Sequence, residues 1–131
     1  MSIGVDLGAR VFLGLFAMIS IPYGVFCFFR PGFLDAFAGV AATSATGMVE
    51  LRAMYGGLQT GFGALALLGA LRPAVTRTAL LTTAFLCAGL GSFRLLGAVA
   101  TSELSSYTAQ GLVFELGSTV LALSFLRRLP R

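Results

Sequence analysis

The stretch MVELRAMYGGLQTGFGALALLGAL, residues 48–71, decides the fold of this chain. As an α-helix it would reach roughly 36 Å at the standard rise per residue, more than the ~30 Å hydrocarbon core of a bilayer. Its second half, from Phe62 to Leu71, is almost purely apolar. The first half is not: Glu50, Arg52, Tyr55 and Gln59 crowd there among Gly56, Gly57 and Gly61. Polar groups gathered at one end of a membrane helix need partners at the same depth.

Three further windows of the same kind run from about Ala9 to Phe29, Val75 to Val99 and Tyr107 to Leu126. The composition agrees, since the 131 residues are 57% hydrophobic and 11% charged, where a soluble domain carries about 25% charged residues. The sequence therefore predicts an all-α, polytopic membrane four-helix bundle, forming a single transmembrane domain over residues 1–131. Breakers mark the joints. RPGF at 30–33 follows the first span, and LRPAV at 71–75 leaves room for only a tight hairpin between the second and third. Pro22 lies within the first span, where it should kink the helix rather than end it. The first span lacks a basic leader and a small-residue cleavage site, so it is expected to remain as a signal anchor.

Between the first two spans, FLDAFAGV at 33–40 brings Phe33, Leu34, Phe37 and Val40 to one side at helical spacing, with Asp35 turned away. A short amphipathic helix in the membrane interface follows, either capping a cavity or simply connecting spans. The formal charge of +4 comes from nine arginines, with no lysine and no histidine. Arg10, Arg72, Arg77, Arg127, Arg128 and Arg131 flank the spans on one side and Arg30 on the other, so both termini are expected in the cytoplasm. Arginines spread over segment ends do not make a nucleic-acid surface. Without histidine the commonest metal ligand is missing, and neither a metal site nor a cofactor is expected. Cys27 and Cys87 fall at different depths on this map, too far apart for a disulfide, and read as small packing residues.

The charges inside the spans carry the functional question. Arg94 and Glu115 fall at similar depth in the half of the membrane that also holds Glu50 and Arg52, and an unpaired ionisable group there costs at least about 2.5 kcal/mol. A buried polar cluster of Arg94 with Glu115 and Glu50 is expected, with Arg52 joining it or snorkelling to the headgroups. Thr83, Cys87, Gly91 and Ala98 share a helical stripe with Arg94, and Gly111, Ser118, Thr119 and Ala122 share one with Glu115. Stripes of small residues are helix contact faces in membranes. Gly57 and Gly61 form a GxxxG that should let a neighbouring helix approach. Tyr55 and Gln59 lie on a second, more polar face, suited to a cavity or to another subunit.

ELRAMYGG at 50–57, GSFRLLG at 91–97 and GLVFELG at 111–117 together resemble a bacterial family of small four-helix membrane proteins known only as a domain of unknown function. The resemblance covers nearly the whole chain and implies a bacterial inner-membrane bundle. It also draws attention to Glu50, Arg52, Tyr55, Gly57, Arg94 and Glu115, and it implies no reaction. Small multidrug-resistance exporters share the size and an intramembrane glutamate, but theirs is in the first helix, which has no acid here.

The leading functional expectation is binding of an amphipathic small molecule or a membrane lipid at the Arg/Glu cluster, with Tyr55 and Gln59 supplying neutral hydrogen bonds. Oligomeric proton-coupled transport and an assembly role in a larger complex stay open. Catalysis is the weakest reading, since no nucleophile elbow or phosphate loop is present.

Overall fold

A computed structural model describes residues 2–129; Arg131, counted above among the tail arginines, lies outside them. The described residues form helices joined by short loops. In chain order these are α1 (Ser2–Phe29), α2 (Gly32–Ala38), α3 (Ala45–Leu51), a π-helical segment (Arg52–Leu58), α4 (Gln59–Leu71), α5 (Pro73–Thr101) and α6 (Ser106–Arg128). α3, the π segment and α4 run on as one rod, Ala45–Leu71, and four helices in all are long and apolar enough to cross a membrane. This is the all-α bundle expected, with the organisation of a multi-pass membrane protein. Each span outruns its sequence window by a few residues, and α1 most, starting at Ser2 rather than Ala9.

The helix ends follow local chemistry. Ser44 and Ser105 cap α3 and α6, accepting hydrogen bonds from the Gly47 and Thr108 amides. Between α4 and α5 only Arg72 is extended, and Pro73 opens α5 where its missing N–H costs nothing. The hairpin is pinned by the Thr76 hydroxyl donating to the Gly69 carbonyl at 2.8 Å. At the same end the Arg10 Nε donates to the Ala70 carbonyl at 2.7 Å, satisfying a helix-terminal acceptor from a different span. α1 continues as helix through Pro22.

Neighbouring spans pack in chain order, α1 on the second, the second on α5, and α5 on α6, while α6 meets α1 only sparingly. The outside is apolar, with Phe85, Phe93, Val99 and Val113 each more than 70% exposed. Inside are Ser20, Thr76, Thr83, Glu115 and Ser118 beside alanines and leucines. Lipid, not water, makes such a surface stable, because there is no gain in hiding leucine from a hydrocarbon solvent. The main core gathers Leu13, Phe16, Ala66, Leu80 and Ala122 in the half nearer the termini. A smaller cluster of Cys27, Leu34 and Leu51 closes the opposite, loop end. Here α2 lies with Leu34 fully buried and Phe37 62% exposed. The four-residue apolar face expected of this helix is therefore only partly used. The helix ends at Gly39, whose φ of +66° suits glycine. Cys27 and Cys87 are both free and buried.

Glycine contacts correct the expectation for the second span. No atom of a neighbouring helix lies within 4 Å of a Cβ placed at Gly57 or Gly61, and both residues are exposed. Gly56 and Gly63 make the contact instead. A Cβ on Gly63 would stand 2.7 Å from Ile21 Cγ1, and one on Gly56 2.9 Å from Phe28 Cβ, both on α1. The π segment explains the change of face. Its i→i+5 bonding holds more residues per turn than the 3.6 of an α-helix, so a regular helical wheel carried across residues 50–64 loses phase. The buried positions run Leu51, Gly56, Gly63, beginning with a step of five.

Candidate functional site

Between the main core and the loop-end cluster lies a cavity of about 260 Å³ to which all four spans contribute. α1 supplies Ile19, Ser20 and Tyr23, and the second span supplies Tyr55 from its π segment and Gln59 from the turn that follows. α5 brings Arg94, and α6 brings Tyr107, Gln110, Gly111, Phe114 and Glu115. Phe114 stacks on Phe16 with ring centroids 5.4 Å apart, forming a floor toward the main core. Ile19 and Gln110 line the cavity and are also exposed on the outside, so its mouth lies at the sparse α1–α6 seam. The Tyr23 and Tyr107 hydroxyls bridge that seam with a 2.8 Å hydrogen bond.

Arg94 and Glu115 form the charged wall. The guanidinium donates from Nε to Oε2 at 2.9 Å and from Nη2 to Oε1 at 2.6 Å, a bidentate pair that satisfies both carboxylate oxygens. The Glu115 side chain is 7% exposed and that of Arg94 29%. Small residues make room for them: Gly91 packs beneath Leu116 and Glu115, and a Cβ at Gly111 would stand 2.9 Å from Arg94 Nε. Glu115 lies nine residues after Ser106, where α6 starts, roughly 14 Å along the axis. The polar level is therefore well inside the span.

A second cavity, of about 270 Å³, lies between the second span and α5. It shares Tyr55, Gln59 and Arg94 with the first, but the rest of its wall is apolar: Met54, Leu58, Phe62, Leu86 and Leu90. The three shared residues thus stand where the cavity that holds most of the polar side chains meets one whose other walls are apolar.

Of the residues singled out from the sequence, the structure brings together Arg94, Glu115, Tyr55 and Gln59, with Gly91 and Gly111 at the helix contacts beside them. It does not bring Glu50 into this cluster. Glu50 sits near the end of α3, before the π segment, and is exposed. Arg52 is also exposed, its guanidinium 5.6 Å from the centroid of the Phe28 ring, the outward alternative of the two expected for it. Tyr23, Tyr107, Ser20 and Gln110 also line the cavity and carry no such signal in the sequence. Tyrosines near span ends read as interfacial anchors, and a hydrogen bond between residues 84 apart leaves no periodic trace.

Among the described residues, no group of three or more His, Cys, Asp or Glu side chains is placed to hold a metal ion. The Tyr55 hydroxyl and the Gln59 amide, on half-buried residues, make no hydrogen bond among the described residues and are accessible from the cavity, and the Gln110 amide, on an exposed residue, is likewise open. What this wall can do chemically is hydrogen-bond a guest.

Comparison with known proteins gives a family and nothing finer. No curated protein and no solved structure matches the chain. The model of a domain of unknown function, DUF4345, matches residues 8–126. Since this takes in all four spans and the whole polar cavity, the chain belongs to the DUF4345 family of proteins of unknown function.

Proposed function

We infer that this protein binds a small amphipathic molecule, or a single membrane lipid, with its polar head in the cavity between the four spans. One observation carries the reading. At a depth where backbone and side-chain polar groups are normally paired within the protein, Tyr55 and Gln59 line a cavity without protein partners, and Gln110 adds an open amide at its exposed mouth. Hydrogen-bonding groups held open at such a depth are suited to a guest, and their convergence with apolar walls is the usual make-up of a small-molecule site. At about 260 Å³ the space falls just below the usual range for ligand pockets of roughly 300–1,000 Å³. It suits a head group or a compact molecule rather than an entire lipid. The apolar cavity sharing Tyr55, Gln59 and Arg94 supports a path for the tail.

The alternative is that the Arg94–Glu115 pair serves only to fix helix register, with water filling the cavity. Native mass spectrometry of the detergent-purified protein decides between them, using Gln59→Leu and Tyr55→Phe, which keep side-chain volume nearly constant. The wild type should carry a defined bound mass that one or both variants lose while keeping the same oligomeric state. Bare protein in all three samples would reject the binding reading.

The same reading sets the protein in a bacterial inner membrane with both termini cytoplasmic, supported by Arg10, Arg72, Arg77, Arg127 and Arg128 at the terminal end of the bundle. A reporter active only outside the cytoplasm, fused after the last residue, should stay silent; activity there would reverse the topology.

A further inference from the structure

We propose that the head group selected by this cavity is uncharged. The inference rests on the cavity being an amphiphile site and concerns what that site accepts. Among the described residues, Arg94 and Glu115 are the only charged side chains in the wall. They meet through both carboxylate oxygens, at 2.9 and 2.6 Å, so their charges cancel inside the pocket. Arg52, exposed against Phe28, and Arg30, exposed after the end of α1, are the other arginines of that half and take no part in the wall.

A phosphate, sulfate or carboxylate head entering this space would shed its water without meeting a free cation. It would also face the Glu115 carboxylate across a few ångströms of poorly screening protein. For Arg94 to turn to the newcomer, the pair would have to open and leave a carboxylate that is 7% exposed without its counter-charge. An uncharged head meets none of these costs. Glu115 occupies Nε and one Nη2 hydrogen of Arg94; a guanidinium has five N–H donors, so three remain. With the Tyr55 hydroxyl and the amides of Gln59 and Gln110 they offer donors to carbonyl or ether oxygens. The two amide oxygens accept from hydroxyls. A head of hydroxyls, ester or ketone carbonyls or carboxamides uses both sets.

The test compares two ligands with the same chain, 1-oleoylglycerol and 1-oleoyl lysophosphatidic acid, which differ by one phosphate. Each is titrated against the full-length protein in non-ionic detergent at neutral pH and read by native mass spectrometry. The wild type should prefer 1-oleoylglycerol by about tenfold or more, the scale that separates a well-met neutral head from an uncompensated charged one. Glu115→Gln leaves the Arg94 charge unbalanced and should move the ratio roughly tenfold toward lysophosphatidic acid. A wild type that prefers lysophosphatidic acid overturns the inference while leaving an amphiphile site standing. Binding of neither ligand overturns the inference and counts against the amphiphile site itself. An unchanged ratio in Glu115→Gln shows that the ion pair does not set the selectivity and overturns it too. The wild-type ratio needs no variant, so the outcome does not depend on Glu115→Gln folding.

Discussion

The two halves of the second span both carry glycines that face α1, yet they do opposite things. From Gly63 onward in α4, Gly63, Ala66 and Gly69 are buried at close helix contacts, with Ile21 of α1 against Gly63 and Leu13 of α1 and Ala79 of α5 against Gly69, and none of the three lines either cavity described above. In the π segment, Gly56 still draws α1 close, yet Tyr55 there and Gln59 in the first turn of α4 border two cavities. The difference teaches that glycine sets how near two helices come, whereas the phase of the helix sets what faces the gap. A π segment widens one turn and rotates the residues beyond it, so one continuous rod can be sealed at one end and receptive at the other.

Substitutions can break this contrast, and the largest effect is expected at the ion pair. Arg94→Gln leaves Glu115 buried beside a neutral partner and should cost about 3–5 kcal/mol, the usual scale for breaking a buried pair. Arg77→Gln, at an exposed position of α5, should stay within about 0.5 kcal/mol. Thermal unfolding in detergent compares the two, and equal shifts would mean the pair is already solvated. Arg94→Gln combined with Glu115→Gln should recover part of the loss, by about 1–3 kcal/mol of coupling. Strict additivity would remove the pair from the account. In the sealed half, Gly63→Leu drives a side chain into Ile21 and should cost about 1–3 kcal/mol. Its control, Gly61→Leu, has open space around its Cβ and should not lower the unfolding midpoint; the reverse order would restore the GxxxG face expected from the sequence. A small effect of opposite sign is expected of Gly61→Ala, which should stabilise by about 0.5–1 kcal/mol by removing backbone freedom within α4.

These contrasts also show what the sequence made legible. Span number, the hairpin at Arg72 and Pro73, and the meeting of Arg94 with Glu115 follow from hydropathy, proline placement and depth along regular helices, all properties that survive without knowledge of neighbours. The small-residue stripes on α5 and α6 were readable because those helices keep the 3.6-residue period throughout; Thr83, Cys87, Gly91, Ser118 and Ala122 are buried as that period requires. The second span breaks the same rule. Its π segment breaks the 3.6-residue period, so a regular wheel gives Gly57 and Gly61 the contact that Gly56 and Gly63 make and turns Glu50 inward although it is exposed. The Tyr23–Tyr107 bridge was out of reach for another reason: it depends on how α1 and α6 are set across their sparse seam, which neither span records by itself.

The central claim is that the cavity beside Arg94 and Glu115 receives a guest molecule. A crystal structure of the protein extracted with its native lipids tests it most directly. The account predicts connected density for an organic molecule in that cavity, with a polar atom within hydrogen-bonding distance of Gln59, Tyr55 or the free edge of Arg94. Separate water peaks alone, or side chains from the α1–α6 seam closing the space, would contradict it and leave the ion pair a device for holding four helices in register.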